Sequence, residues 1–184
     1  MQPSFLFINA CRLWLLAAIA MTGEIALADA AQESAAAGTL TITNESAEPV
    51  TLALPLADDL PRQSVTVDLD GKKQTYEGVA LATLLEHAKV KIGADARGPL
   101  VARYIVLTAT DGYRVVLSIS EVDPIITDQV ILIADRRDKQ PLPAGEAPLR
   151  LIVAGDKRPR RWIRKITTIE VRKAPEMSAQ SAAP

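Results

Sequence analysis

The chain is poor in the residues that most often carry enzyme chemistry. Its 184 residues include one histidine, His87, and one cysteine, Cys11. A Ser-His-Asp or Cys-His arrangement therefore has a single candidate base. Zinc and iron sites need several His and Cys donors together, and no such set exists. No Gly-rich phosphate loop of the Walker or dinucleotide type occurs. Charge of one sign is not in excess either, since 21 Lys+Arg face 22 Asp+Glu, a formal net charge of −1. That balance argues against a protein that coats nucleic acid, and no nucleic-acid partner is expected. Long apolar runs are missing too: the uncharged residues from Leu13 to Gly23 are too few for the roughly 20 that span a bilayer.

That N-terminal run, "FLFINACRLWLLAAIAM", is followed by "TGEIALADA", which places small residues at Ala26 and Ala28 in an A-x-A pattern. The pattern reads as a secretory signal peptide over residues 1–28, cleaved after Ala28 or Ala30. No stable membrane span is expected after cleavage, and the location is periplasmic or secreted. Cys11 precedes the apolar stretch, which is the wrong order for a lipoprotein. The exported body would then hold no cysteine, so it could form no disulfide and offer no thiolate to a metal. Residues 29–38 and 174–184 are small and polar and read as flexible tails. The folding body is residues 39–173, long enough for one hydrophobic core.

What is present is mostly strand signal. "TLTITN" and "VTLAL" are β-branched and bounded by turn residues. "SVTVDLDGKKQTYEG" alternates Val65, Val67 and Leu69 before Asp70-Gly71, a hairpin signal of the type I′ kind. Tyr104 to Thr110 and Tyr113 to Ile119 read as a second hairpin of the same kind through Asp111-Gly112. "SISEVDP" adds a short helical turn with Ser120 as a plausible cap. "DQVILIAD" is apolar almost throughout, as in a strand buried on both faces. Pro148 to Ala154 and "ITTIEVR" supply two more strands. One segment changes period: Leu81, Leu84, Leu85 and Ala88 recur at helical spacing between Gly78 and Gly93. His87 lies near the end of that helix, where the macrodipole favours it on the surface. The fold class expected is α+β, a single mostly-β mixed domain with one clear amphipathic helix.

Candidate site residues concentrate in "PLRLIVAGDKRPRRWIRK". Arg150 sits inside an otherwise apolar strand, where an unpaired charge is too costly. It therefore pairs with an internal acid such as Asp111 or reaches an anionic ligand, and the cost argument favours the pair. Lys157, Arg158, Arg160, Arg161, Arg164 and Lys165 crowd around Trp162. The plain reading is a solvated basic loop with the indole packed into the core. The functional reading uses guanidinium forks on phosphate oxygens and an indole face against a flat heterocycle. Asp111 and Tyr113 either line the same site or merely hold a turn.

The order "YEGVALATLLEHA", "YIVLTATDGYRVVLSISEVD", "VILIAD", "APLRLIVAGDKRPRRWIRKITTIEV" resembles the molybdopterin-binding domain of the sulfite-oxidase family, in its small exported form. The likeness runs from about Val65 to Val171. It implies a fold that encloses a phosphorylated planar pterin carrying molybdenum. It places Arg161-Trp162 where the enzymes have a basic residue followed by tryptophan, and Arg150 at the arginine of the preceding strand. The enzymes hold molybdenum through a cysteine thiolate that this body lacks, and nothing left substitutes for that soft bond. The resemblance thus implies a non-catalytic, exported domain with no metal site. It would bind a pterin-like or other anionic small molecule, or a periplasmic partner protein, through Arg150, Lys157, Arg158, Arg160, Arg161, Trp162, Asp111 and Tyr113. Two alternatives stand beside it: a molybdenum-dependent oxidoreductase or a subunit of one, and a purely structural interaction module.

Overall fold

A computed structural model describes residues 38–175 apart from 46 and 70. These residues belong to a compact unit, Ala35–Pro184. The expected signal peptide, and all of both tails except Gly38, Ala174 and Pro175, lie outside the described residues.

Among the described residues ten strands form two five-stranded sheets. The first has the order β2-β1-β10-β5-β6, built from β1 (Gly38–Asn44), β2 (Ala47–Leu54), β5 (Arg103–Ala109), β6 (Arg114–Ser118) and β10 (Ile166–Lys173). Only β1 and β10 run parallel in it, with Ile42 opposite Ile169. The second has β3 (Arg62–Leu69), β4 (Lys72–Ala80), β7 (Ile131–Arg137) and the two-residue β8 (Gln140–Pro141) in order, with β9 (Arg150–Val153) also paired to β7. As the apolar run foretold, Ile131, Leu132, Ile133 and Ala134 are all buried. Leu151, Ile152 and Val153 of β9 are fully buried as well, so that strand is covered on both faces.

β3 and β4 pair out to Leu69 and Lys72, as expected for a two-residue loop, although Asp70 itself lies outside the described residues. Gly71 has φ +81° and donates its N–H to Asp68. The second hairpin differs from its expectation. Ala109 N–H bonds the Tyr113 carbonyl, which leaves residues 110–112 as a three-residue loop, and only Gly112 has positive φ. That is the three-residue solution, with glycine at the left-handed position.

Helix α1 (Leu81–His87) buries Leu81, Leu84 and Leu85 as its spacing dictates, and Ala88 just beyond is buried too. It is shorter than its flanking glycines suggested. β4 runs directly into it, and Gly78 belongs to the strand, where a Cβ would stand 2.1 Å from the Ile133 carbonyl oxygen. The helix stops at Lys89, which takes φ +60° while Val90 N–H bonds Leu85 and Lys89 N–H bonds Glu86. His87 is exposed in the last turn. A second helix, α2 (Ile119–Val122), is capped by Ser118 rather than Ser120, with Glu121 closing a capping box. Among the described residues no helix is long and apolar enough to cross a membrane.

Candidate functional site

Three pieces of chain meet around a cavity of about 490 Å³. The β5–β6 loop contributes Asp111 and Tyr113, the turn before β9 contributes Gly145, and the segment after β9 contributes Pro159, Arg160, Trp162, Arg164 and Lys165. Arg150, at the start of β9, lines it as well. The volume falls in the range of small-molecule sites.

Arg150 is held from several sides. Its Nη1 donates to Glu146 Oε2 at 2.6 Å and to the Tyr76 hydroxyl at 3.1 Å. Its Cζ lies 5.4 Å from the Tyr76 ring centre and 5.9 Å from that of Trp162, within cation–π range of both. The two rings meet edge to face at 6.3 Å. Asp111 is therefore not the internal acid. The acid is Glu146, four residues before Arg150, whose other oxygen accepts from Arg137 Nη1 at 2.9 Å. A partner so near in sequence needs no distant loop to be brought in. Arg150 Nε is left buried with no hydrogen-bond partner. Such a buried, unpartnered donor calls for an explanation.

The basic knot divides. Arg161 does not line the cavity. It forks onto Asp156 at 2.8 and 2.9 Å and reaches Glu121 Oε1 at 2.7 Å. Those hydrogen bonds, Asp156 foremost, raise its pKa well above the usual guanidinium value. Asp156 also accepts from Trp162 Nε1 at 3.2 Å. The Arg161 charge is thus matched within the fold, and what it does is tie α2 to the loop that carries the tryptophan. Trp162 is buried, 4% exposed, with Arg150 over its ring. It forms cavity wall and core together, and the aromatic standing open at this site is Tyr113, 54% exposed. Asp111 accepts the Tyr113 N–H at 3.0 Å, so it both lines the cavity and holds the turn. Lys157 and Arg158 are exposed and do not line the cavity.

The cations that do line it, besides Arg150, are Arg160, Arg164 and Lys165. Arg164 and Lys165 were visible in the sequence only as members of a charge run. What gives them their place is the bridge of Arg164 to Arg150 and the backbone bonds of Lys165. Sequence spacing shows neither. Arg160, Arg164 and Lys165 face one lining carboxylate, Asp111, which gives the cavity an excess of positive charge.

A family model described as the oxidoreductase molybdopterin binding domain matches residues 28–180. The chain belongs to that family. No curated protein matches it. Among solved structures, this domain is similar to the sulfane dehydrogenase SoxCD from Paracoccus pantotrophus, with a TM-score of 0.55 and 15% identity. The match covers 73% of this chain and 38% of that one, and it shows a shared fold. The group that the family name implies fits this domain only in part. Cys11, the sole cysteine, precedes the matched residues 28–180, and among the described residues no three His, Cys, Asp or Glu side chains are grouped to hold a metal. Among the described residues no cysteine or methionine offers molybdenum a soft donor. The flat, anionic organic part suits the cavity better: it would meet Tyr113 and the three lining cations.

Proposed function

We propose that this domain is an exported, non-catalytic member of its family that binds a pterin-like or otherwise planar anionic ligand in the Arg150/Trp162 cavity. The observation that carries the reading is the gathering of Arg160, Arg164 and Lys165 beside Arg150 and the open Tyr113 ring around one cavity. Guanidinium and ammonium groups hold oxyanions through charge-assisted hydrogen bonds. Without a thiolate the domain would have no grip on molybdenum, and redox chemistry belongs to that cofactor and its metal.

The test is to isolate the protein from its native compartment, denature it, and analyse what is released. The expected result is a planar anionic compound at near-stoichiometric amount with no molybdenum. Stoichiometric molybdenum would overturn the non-catalytic reading, and release of no small molecule would overturn the binding reading.

A further inference from the structure

An open sheet has two edges, and each exposes backbone groups with which another chain can pair. Most edges of this fold are blunted. β2 carries Pro49 and pairs irregularly with β1 between Ile42 and Asn44. β8 is two residues long and ends in Pro141. β9 is covered on the side away from β7, where Leu151 N–H bonds the Ile163 carbonyl. β3 is open, but Gln63, Ser64, Thr66 and Asp68 make its exposed positions polar. β6 has no proline, no lysine and no bulge in its pairing with β5. Val116 stands at its centre, 57% exposed.

The hydrogen-bond parity of β6 shows which of its groups are open. Ala109 N–H bonds the Tyr113 carbonyl at 3.0 Å, so Tyr113, Val115 and Leu117 turn their backbone groups toward β5. Arg114, Val116 and Ser118 turn theirs to the free edge. That edge is closed at both ends. Gly112 N–H bonds the Ala109 carbonyl at 3.0 Å, and Ser118 N–H bonds Glu121 Oε2 at 2.8 Å. What stays open between them is the N–H and C=O of Arg114 and of Val116.

We propose that this edge receives β6 of a second copy of the chain, antiparallel, about a two-fold axis at Val115. That register matches the open groups. It sets Arg114 of each copy opposite Val116 of the other, so the open groups bond one another and neither closed end is disturbed. An axis at Val116 would instead call on the Ser118 N–H that Glu121 already holds. An axis at Arg114 would set two guanidinium groups face to face, whereas the axis at Val115 leaves them on a diagonal. Charge favours a copy over an unrelated strand. Arg114 is exposed and forms no ion pair among the described residues. The Glu121 carboxylate, partly exposed, lies just past the other end of the same strand. Antiparallel pairing puts each Arg114 diagonal to Ser118 of the other copy and so within reach of its Glu121. The aliphatic stem of each Arg114 then covers the other copy's Val116. The inference is independent of the ligand reading above.

One short strand edge gives a contact below the roughly 1,200 Å² of a stable interface, so the dimer belongs to the weak class, with a dissociation constant of about 10 μM to 1 mM. The experiment is sedimentation velocity on the protein purified from its native compartment, for wild type and Val116→Lys, with melting temperatures recorded in parallel. Wild type should pass from monomer to dimer between about 5 μM and about 1 mM. Val116→Lys sets a lysine opposite Arg114 twice in the interface, so it should weaken the dimer roughly tenfold or more. Its melting temperature at low concentration should match wild type, because the position is exposed. Cysteines placed in a Cys11→Ser background read the register. Arg114→Cys and Val116→Cys proteins should each resist disulfide cross-linking alone, since a residue and its own copy lie on a diagonal about 7–8 Å apart. Mixed together they should cross-link, because paired Cα atoms lie about 5.5 Å apart. Wild type that stays monomeric to about 1 mM overturns the proposal. So does a dimer that Val116→Lys leaves intact, or a Val116→Cys protein that cross-links readily to itself. A monomeric wild type carrying an extended peptide that Val116→Lys loses would give the edge to another chain and overturn it equally.

Discussion

Replacing Glu146 by glutamine would separate two effects that its carboxylate combines. It accepts from Arg137 and from Arg150, and the Glu146 and Arg150 side chains are only 14% and 11% exposed. Losing that charge leaves a largely buried guanidinium with two aromatic faces and a phenol but no counter-ion. Breaking a buried pair from one side costs about 3–5 kcal/mol, and the residual exposure here reduces that to about 2–4 kcal/mol. Urea unfolding of Glu146→Gln should show a midpoint lowered accordingly. The same change removes a negative charge next to the cavity, so affinity for an anion should rise while stability falls. A destabilised variant with weakened anion binding would mean that Arg150 had moved out of place. Arg161 shows the reverse arrangement. The sequence placed it in the basic knot beside Trp162, and the fold matches it with two carboxylates drawn from 5 and 40 residues away. Residue type revealed the charge at Arg161 but not its partners, which come together only in the tertiary structure.

Within elements, periodicity was the reliable guide and boundaries were not. Leu81, Leu84, Leu85 and Ala88 are buried as their spacing required, and the run from Ile131 to Ala134 is a covered strand. Glycine as punctuation misled, because Gly78 serves a close backbone approach between β4 and β7 and not a helix start. A lysine occupies the stop position of α1, and nothing in its residue type marks it as one. This is the basis of a prediction. Lys89 takes φ +60° in a position where glycine is the common choice, and it is exposed. Lys89→Gly should relieve the left-handed penalty of roughly 1–2 kcal/mol, offset in part by the entropy glycine loses on folding. The net expectation is a gain of about 0.5–1 kcal/mol in thermal or denaturant unfolding, with anion affinity unchanged because Lys89 does not line the cavity. Ser118 and Ser120 make the same point about boundaries. The sequence pointed to Ser120 as the cap of α2, and the extended backbone at Ser118 gives that role to Ser118 instead.

At the scale of the molecule, what the sequence could not show is the order of the strands. β1 is first in the body and β10 last, yet they lie side by side in parallel at the centre of the first sheet. Local pattern carries no signal for a pairing between chain ends. The arrangement has a consequence for cooperativity. Leu40 and Ile42 of β1 belong to the same buried cluster as Tyr76 of β4 and Trp162, so the two sheets share one core. Leu40 is fully buried, and Leu40→Ala should cost about 2–5 kcal/mol through lost burial and the cavity left behind. Trp162 reports on the other end of that core, since Trp14 is the only other tryptophan of the chain and can be replaced by phenylalanine. If the sheets unfold as one unit, Leu40→Ala should shift the tryptophan fluorescence transition and the far-ultraviolet circular dichroism transition by the same amount, and the two should coincide. A fluorescence midpoint that stays at the wild-type value while the dichroism midpoint falls would show that the sheet holding β1 melts alone. The cavity sits among the β5–β6 loop of the first sheet, the start of β9 in the second and the turn at Lys165, so its geometry depends on both sheets being in place. Coincident transitions would therefore mean that the ligand site is lost only on global unfolding. A saturating ligand should then raise both midpoints together, by mass action on the folded state.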